Sequence, residues 1–304
     1  MLFDRLTVRR ALAKIVLAAA LVCLSGFNAL ASPGDAKTGR QLFLKYCYQC
    51  HGYEGKGDGP AAIYQAARPR DFTAGVFKIK TSPPGALIPR DEDIFNTITR
   101  GMPGSGMPRW ENILSEKERW DLVAYIKTLS DIFEGEADPP AMDYSGKIPY
   151  SEESAKRGEW VYNEFKCPEC HGPEGRGPAI KVLKDDYGYR IWPRDLTKPW
   201  TFIGPYTPED LYARVTNGIP LTPMPSFVPR GKDTYMQKRW DVVNYVLWLG
   251  KQAAKQRRRY QIEMGVITAI SVGAFIFFAW PVVMGHFGFG GKRPPGKNDH
   301  TEKT

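Results

Sequence analysis

Four short segments occur twice between residues 32 and 250, in the same order along the chain. They are CYQCHG and CPECHG (47–52 and 167–172), PRDFT and PRDLT (69–73 and 193–197), GMPGSGMPRW and GIPLTPMPSF (101–110 and 218–227), and RWDLVAYI and RWDVVNYV (119–126 and 239–246). Such a repeat indicates that one folding unit has been duplicated. The sequence therefore predicts two similar domains, 32–133 and 151–250, joined by an acidic, proline-containing linker at 134–150.

Each copy has a helical pattern that runs into its cysteine pair, and each closes on a longer helix with apolar residues at spacings of three and four. The predicted helices are 36–46, 91–99 and 115–130 in the first copy, and 152–165, 208–216 and 234–249 in the second. The Pro- and Gly-rich loops between them show no alternating strand pattern. The predicted fold class is therefore all-α.

The charge of the chain lies at its two ends. The formal net charge is +9, but positive and negative side chains balance between residues 32 and 250. The folded part has no overall positive field with which to hold a polyanion, so we expect no nucleic-acid partner.

The amino terminus reads as an export signal. Basic residues up to Lys14 precede an apolar run at 15–24, and Ala29 and Ala31 form the small-x-small pattern of a signal-peptidase site. Residues 1–31 are predicted to be removed, together with Cys23. The alternative is an uncleaved anchor, although the apolar run is shorter than the roughly 20 residues of a span.

The carboxyl terminus is predicted to cross a membrane once. Residues 264–285 carry no formal charge, follow a basic segment at 251–263 and precede a polar tail at 286–304. Trp280 suits the membrane interface, and Pro281 is expected to kink or end the helix. The alternative is a buried core helix. Basic residues on both sides leave the orientation open.

The four cysteines outside the signal all lie in CxxCH units. They are Cys47, Cys50, Cys167 and Cys170, and the second cysteine of each pair is followed by a histidine, His51 or His171. This arrangement indicates covalent attachment of haem c, in which two thiols bond the vinyl groups and the histidine binds iron. Two covalently bound haem c groups are therefore predicted. The alternatives are a zinc site and a redox-active thiol pair.

A methionine is the expected second iron ligand in each copy, because its sulfur favours ferrous iron. Two candidates occur in the first copy. Met102 aligns with Ile219, which cannot bind iron, whereas Met107 aligns with Met224, and both of these methionines precede a proline. Met107 and Met224 are the predicted ligands. The alternative is that they fill the core.

These motifs resemble the class I cytochrome c family. The resemblance rests on the CxxCH units, the Met-Pro pairs and the terminal helices, where Gly39 and Gly158 stand at the positions of a close helix crossing. It implies two tandem cytochrome c domains and the covalent haems just described. A departure is the long loop after His51. It contains Arg70, equivalent to Arg194 in the second copy; both are candidates to bind haem propionates, or alternatively to pair with the following aspartate.

The resemblance implies an electron-transfer protein rather than an enzyme, with the haem domains on the periplasmic side of the bacterial inner membrane. We expect redox proteins of a membrane respiratory complex as partners, linking a membrane or periplasmic oxidoreductase, or a quinol-oxidising complex, to a downstream acceptor. No small-molecule substrate is expected. The alternatives are a di-haem peroxidase and a fixed cytochrome c subunit of a quinol-oxidising, molybdenum-enzyme or terminal oxidase complex.

Overall fold

The computed structural model describes residues 34–65, 67–177, 182–228 and 235–286. The predicted signal segment with Cys23, and the polar tail beyond His286, lie outside these residues. The described residues up to Leu249 form one compact unit, and those from Gly250 onward form a second.

Helices dominate both halves of the first unit, the half before the predicted linker at 134–150 and the half after it, as the all-α prediction requires. In the first half they are α1 (Ala36–Tyr46), α2 (Tyr48–His51), α3 (Asp91–Arg100) and α4 (Glu116–Lys127); in the second they are α5 (Glu152–Glu164), α6 (Pro168–His171), α7 (Pro208–Asn217) and α8 (Met236–His286). Short 3₁₀ turns occur at Ala62–Tyr64, Asp131–Phe133 and Pro199–Thr201. The predicted all-α fold class is confirmed.

Side chains at the helix starts explain where the helices begin. Asp35 caps α1 by accepting a bond from the N–H of Lys37. Ser115 and Glu118 form a reciprocal capping box at α4, and Thr207 and Asp210 form the same box at α7. Because Ser115 is the cap, α4 begins one residue later than predicted.

One short strand pair departs from the predicted absence of strands. β1 (Leu183–Lys184) pairs antiparallel with β2 (Arg190–Ile191), with Leu183 opposite Ile191. Two residues per strand are too few to show an alternating pattern, so the sequence offered no periodicity to detect. The hairpin lies in the second half, between the CxxCH unit and the repeated Pro-Arg-Asp segment.

The first and last helices of each half cross at a glycine. A Cβ atom on Gly39 would lie 1.9 Å from the carbonyl oxygen of Asp121, and one on Gly158 would lie 1.9 Å from that of Asp241. Aromatic rings flank both crossings: Phe43 and Tyr125 have ring centroids 5.2 Å apart, and so do Tyr162 and Tyr245. The two halves therefore use the same contact, as the repeated sequence suggested.

The aspartate of the repeated RWD segment is buried beside each crossing. Asp121 accepts bonds from the backbone N–H of Asp35 and from Lys117. Asp241 accepts them from Ser154 and Arg157. A buried carboxylate needs such partners to offset its lost hydration, and here they join the start of the first helix to the last helix.

The predicted linker packs against the rest of the first unit. Met142 is buried and donates its N–H to the carbonyl of Thr81 in the first half. Tyr144 contacts the rings of Tyr212 and Trp240 in the second half. The segment thus makes contacts to both halves.

The closing helix of the second half and the predicted span form one helix, α8. We expected a helix ending at 249 and a separate span at 264–285, but the basic segment 251–263 is helical too, and the helix continues past Pro281 to His286. Its stretch Met236–Val282 is long and apolar enough to cross a membrane. The apolar side chains from Met264 to Val282 are almost all exposed in this chain, so the buried-core alternative is wrong.

The crossing contact yields a stability prediction. We expect Gly39→Ala to lower the free energy of unfolding by about 2 kcal/mol, because the added methyl group overpacks a backbone contact. This loss exceeds the roughly 1 kcal/mol that alanine gains over glycine inside a helix. Chemical denaturation measures it. Gln41→Ala, at an exposed site of the same helix, is the matched control and should not be destabilising. Equal stability of Gly39→Ala and the wild type would contradict the contact.

Candidate cofactor sites

A single helical turn presents each cysteine pair and its histidine. The N–H of His51 donates to the carbonyl of Cys47 over 2.9 Å, and that of His171 donates to Cys167 over 2.8 Å. These four cysteines form no disulfide bond with one another. The turn places the two thiols of each unit near one another, which is what attachment to two vinyl groups of one porphyrin requires.

The first cysteine of each pair is in an environment that disfavours its thiolate form. Burial raises the pKa of the Cys47 and Cys167 thiols to about 12. Reactive thiol pairs instead have depressed pKa values and cationic neighbours. The alternative of a thioredoxin-like pair therefore has no support here.

Each histidine ring is locked by a backbone carbonyl. Nδ1 of His51 lies 3.1 Å from the carbonyl oxygen of Arg70, and Nδ1 of His171 lies 3.0 Å from that of Arg194. Because a carbonyl only accepts, Nδ1 must carry the proton, and Nε2 keeps its lone pair. Burial lowers the pKa of both histidines. A neutral imidazole with Nε2 available is the form that binds iron.

The loop after each CxxCH unit delivers that carbonyl. The N–H of Gly57 bonds the carbonyl of His51, and the N–H of Phe72 bonds that of Gly55. Gly177 and Leu196 repeat these two bonds in the second half, to His171 and Gly175. A Cβ on Gly57 would lie 2.6 Å from the carbonyl oxygen of Pro69. The long loop that departs from small members of the resembled family therefore serves to orient the histidine.

The histidine surroundings differ between the halves. Phe72 stacks on His51 with ring centroids 4.6 Å apart and an interplanar angle of 21°. The equivalent residue of the second half is Leu196, which has no π-system. The two candidate sites therefore share the CxxCH turn and the locked histidine, but their local environments differ.

The two methionine loops, 102–107 and 219–224, have the same internal hydrogen bonds. The N–H of Met102 donates to the carbonyl of Met107 over 3.2 Å, and that of Ile219 donates to Met224 over 3.1 Å. Hydroxyl groups of Ser105 and Thr222 then close each loop in the same way, by accepting from the N–H of Met107 and Met224. The structure thus places Met107 and Met224 at equivalent positions.

The methionine side chains lie at the edge of the core. Met107 is partly buried and packs against the apolar cluster that also contacts Cys47. Met224 is partly buried as well. Both the ligand hypothesis and the core-filler alternative place such a side chain here, so their role as iron ligands stays a prediction.

The side chains of Arg70 and Arg194 do not pair with the aspartates that follow them in the described structure. Asp71 accepts two bonds from Thr73, and Asp195 accepts two from Thr197 and pairs with Lys198. Asp71 is nevertheless close enough for its charge to oppose the lowering of the Arg70 pKa by burial, so only a direct arginine–aspartate ion pair lacks support.

Three cationic side chains interact where the two halves meet. Burial lowers the pKa of Lys78, and the nearby guanidinium groups of Arg70 and Arg194 lower it further; Asp185 opposes them. Half-buried cations of this kind require anions. Haem propionates are suitable ones, so the donor set fits the cofactor. The sequence singled out the two arginines but gave no signal for Lys78.

A zinc site finds no ligand set in the part of the chain that the structure describes. No three His, Cys, Asp or Glu side chains there lie close enough together to hold a metal ion. A structural zinc ion needs four such ligands.

Comparison with known proteins gives a consistent result. Residues 34–126 and 153–246 each match the family model "Cytochrome C oxidase, cbb3-type, subunit III". Cytochrome c of Euglena viridis is 31% identical over 104 residues, covering 32% of this chain and 100% of that protein. Cytochrome c55X of Paracoccus denitrificans (strain Pd 1222) is 35% identical over 117 residues, covering 37% and 94%.

A solved structure resembles most of the chain. A chain of the Kuenenia stuttgartiensis reducing HAO-like protein complex has 37% sequence identity and a TM-score of 0.65. The match covers 71% of this chain and 97% of that one. The similarity thus extends well beyond a single cytochrome c domain.

The equivalence of the methionine loops leads to a test of the ligands. We expect Met107→Ala to lower one haem reduction potential by more than about 59 mV, a tenfold shift in a one-electron equilibrium, because loss of sulfur removes a ligand that favours ferrous iron. Spectroelectrochemical titration measures this. Met102→Ala is the control and should leave both potentials unchanged. If Met102→Ala produces the shift instead, the assignment of Met107 is wrong.

Proposed function

The chain belongs to the family of cbb3-type cytochrome c oxidase subunit III, and on that premise we propose that it is a membrane-anchored electron carrier with two covalently bound haem c groups. Membership makes it a cytochrome c electron-transfer protein. The observation that carries the finer proposal is the paired arrangement of a CxxCH turn and a histidine whose Nδ1 is held by a backbone carbonyl, present once in each half.

The proposed cofactor-binding residues follow from this arrangement. Cys47 and Cys50 hold one haem c, with His51 and Met107 on its iron; the other is held by Cys167, Cys170, His171 and Met224. Arg70 and Arg194 bind propionates. A haem bound in this way supplies a one-electron ferric–ferrous couple. The chain's own contribution is to fix the ring of each histidine, exclude water and keep the ligands unchanged between the two oxidation states.

Protein ligands on both faces of each iron favour electron transfer over catalysis. No coordination position remains for a substrate unless a ligand leaves. The peroxidase alternative requires one methionine to do so. The two methionine loops have the same internal hydrogen bonds, so these bonds do not favour the loss of one methionine over the other. The carrier role is therefore the function that these residues support best.

A membrane location is proposed from α8. The single candidate span in the described residues follows the second cytochrome c domain along the chain. Anchoring by such a helix raises the effective concentration of the haem domains at partners in the same membrane. Covalent haem attachment in this family, together with the predicted signal at 1–31, supports haem domains on the periplasmic side of a bacterial inner membrane.

The partners are proposed to be redox proteins of a respiratory chain. A second candidate role, as a fixed subunit, is favoured by one observation: the similar solved structure is a chain of a protein complex, and 97% of that chain is covered. Both roles pass electrons through the same two haems. They differ in whether the chain dissociates from its donor or acceptor.

Haem content tests the proposal. In protein purified from membranes in mild detergent, we expect two covalent haems per chain, measured as pyridine haemochrome against protein mass. The double variants Cys47→Ser/Cys50→Ser and Cys167→Ser/Cys170→Ser should each retain one haem, because a haem without thioether bonds is lost on denaturation. A stably co-purifying partner in the wild-type preparation would favour the fixed-subunit role.

The first cysteine of the chain provides the matched control. Cys23 lies in the predicted signal, so Cys23→Ser should leave the haem-to-chain ratio at two. A wild-type ratio of one, or a double variant that keeps both haems, would contradict the assignment of one haem to each CxxCH unit.

A further inference from the structure

Arg194 makes hydrogen bonds to the candidate cofactor sites of both halves. Its backbone carbonyl accepts the Nδ1 proton of His171, 3.0 Å away, in the second half. Its guanidinium Nη2 donates to the carbonyl of Gly104 over 3.3 Å, in the first half. Gly104 lies in the loop between Met102 and Met107. A single residue thus connects the histidine of one site to the methionine loop of the other.

The guanidinium lies directly against the loop. Gly104 has φ +71°, and a Cβ atom there would be 2.8 Å from Nη1 of Arg194. The bond it accepts comes from a cation, and charge-assisted bonds are about twice as strong as neutral ones. The contact therefore lies at the middle of the loop, at an exposed position.

The second half satisfies the equivalent carbonyl in a different way. Leu221 aligns with Gly104 and has the same backbone conformation, with φ 62°. Its carbonyl accepts from the backbone N–H of Asp186, over 3.3 Å, beside the β1–β2 hairpin of its own half. The second methionine loop is therefore completed within its half, and the first is completed by an arginine from the other.

Arg70 is the natural comparison. Its backbone carbonyl accepts the Nδ1 proton of His51, as that of Arg194 accepts the Nδ1 proton of His171. Its guanidinium, however, lies in the field of Tyr187 and Asp185 of the second half. Both arginines are half-buried cations near a cofactor site. Of these two arginines, only Arg194 donates a hydrogen bond to a methionine loop in the described structure.

We propose that Arg194 is a positioning residue that holds the methionine loop of the first half closed, so that ligand binding at the first iron depends on the second half. This inference rests on the proposed haem function. It predicts that loss of the guanidinium makes Met107 easier to displace from ferric iron. Met224 is held by its own half, and its displacement should be unaffected.

Displacement by imidazole measures this property without an activity assay. The purified full-length ferric protein is titrated with imidazole, and binding is followed by the loss of the methionine–iron charge-transfer absorption. We expect Arg194→Met to raise the imidazole affinity of one haem about tenfold, which corresponds to 1.4 kcal/mol, because loop opening no longer breaks a charge-assisted bond. Arg176→Met removes an exposed cation of the second half that pairs with Glu174, and it should leave both affinities within about twofold.

The same titration in the Met107→Ala variant identifies which of the two haems Arg194 affects. In Met107→Ala the first haem has no methionine–iron absorption, so imidazole binding there is followed by the shift of the Soret band. Adding Arg194→Met should have no further effect on this affinity, because the two changes act on the same loop. An effect that persists in this background overturns the proposal. So does an equal effect of Arg176→Met, which would show that only the charge of the second half is involved.

A conservative variant guards against a failure of folding. Arg194→Lys keeps the charge but lacks the planar donor fork, and we expect about a threefold rise in affinity, between the wild type and Arg194→Met. If Arg194→Met does not incorporate haem, Arg194→Lys decides alone, and an unchanged affinity overturns the inference. Failure of the proposed function is distinguishable, since a wild-type protein without methionine-ligated haem would show no charge-transfer absorption before any substitution.

Discussion

The bond between each histidine Nδ1 and the carbonyl of an arginine is the interaction on which the rest of the account depends. It fixes the tautomer, directs Nε2 away from the loop and keeps the ring from rotating. Glycines in the preceding loop let the chain approach closely enough to make the bond. The helix crossings at Gly39 and Gly158 hold the first and last helices of each half together, and so support the turn that carries the histidine.

Duplication produced two sites with the same scaffold but different surroundings. The histidine turn, the carbonyl and the methionine loop recur with distances that agree within about 0.2 Å. The differences lie around them: Phe72 stacks on one histidine where Leu196 replaces it in the other half, and within the described residues only the second half has a hairpin beside its methionine loop. Such differences would give the two proposed haems distinct environments.

The sequence predicted the helices because they follow local rules. Spacing within CxxCH, capping residues and helical periodicity act over a few residues, and α1 has the predicted bounds. The role of the Pro-Arg-Asp segment was predicted less well, since its backbone rather than its side chain meets the histidine. Lys78 and the bond from Arg194 to Gly104 depend on how the two halves meet, which no local pattern encodes. The basic side chains at 251–263 suggest a boundary between two helices. The sequence therefore did not predict that α8 continues through this segment.

Near-infrared magnetic circular dichroism of the ferric protein tests the central claim most directly, because the position of its charge-transfer band reports the pair of axial ligands on each low-spin haem. The account predicts that the spectrum contains only histidine–methionine bands, with an intensity equal to two haems per chain. A bis-histidine band, or high-spin iron in either half of the resting protein, would contradict it.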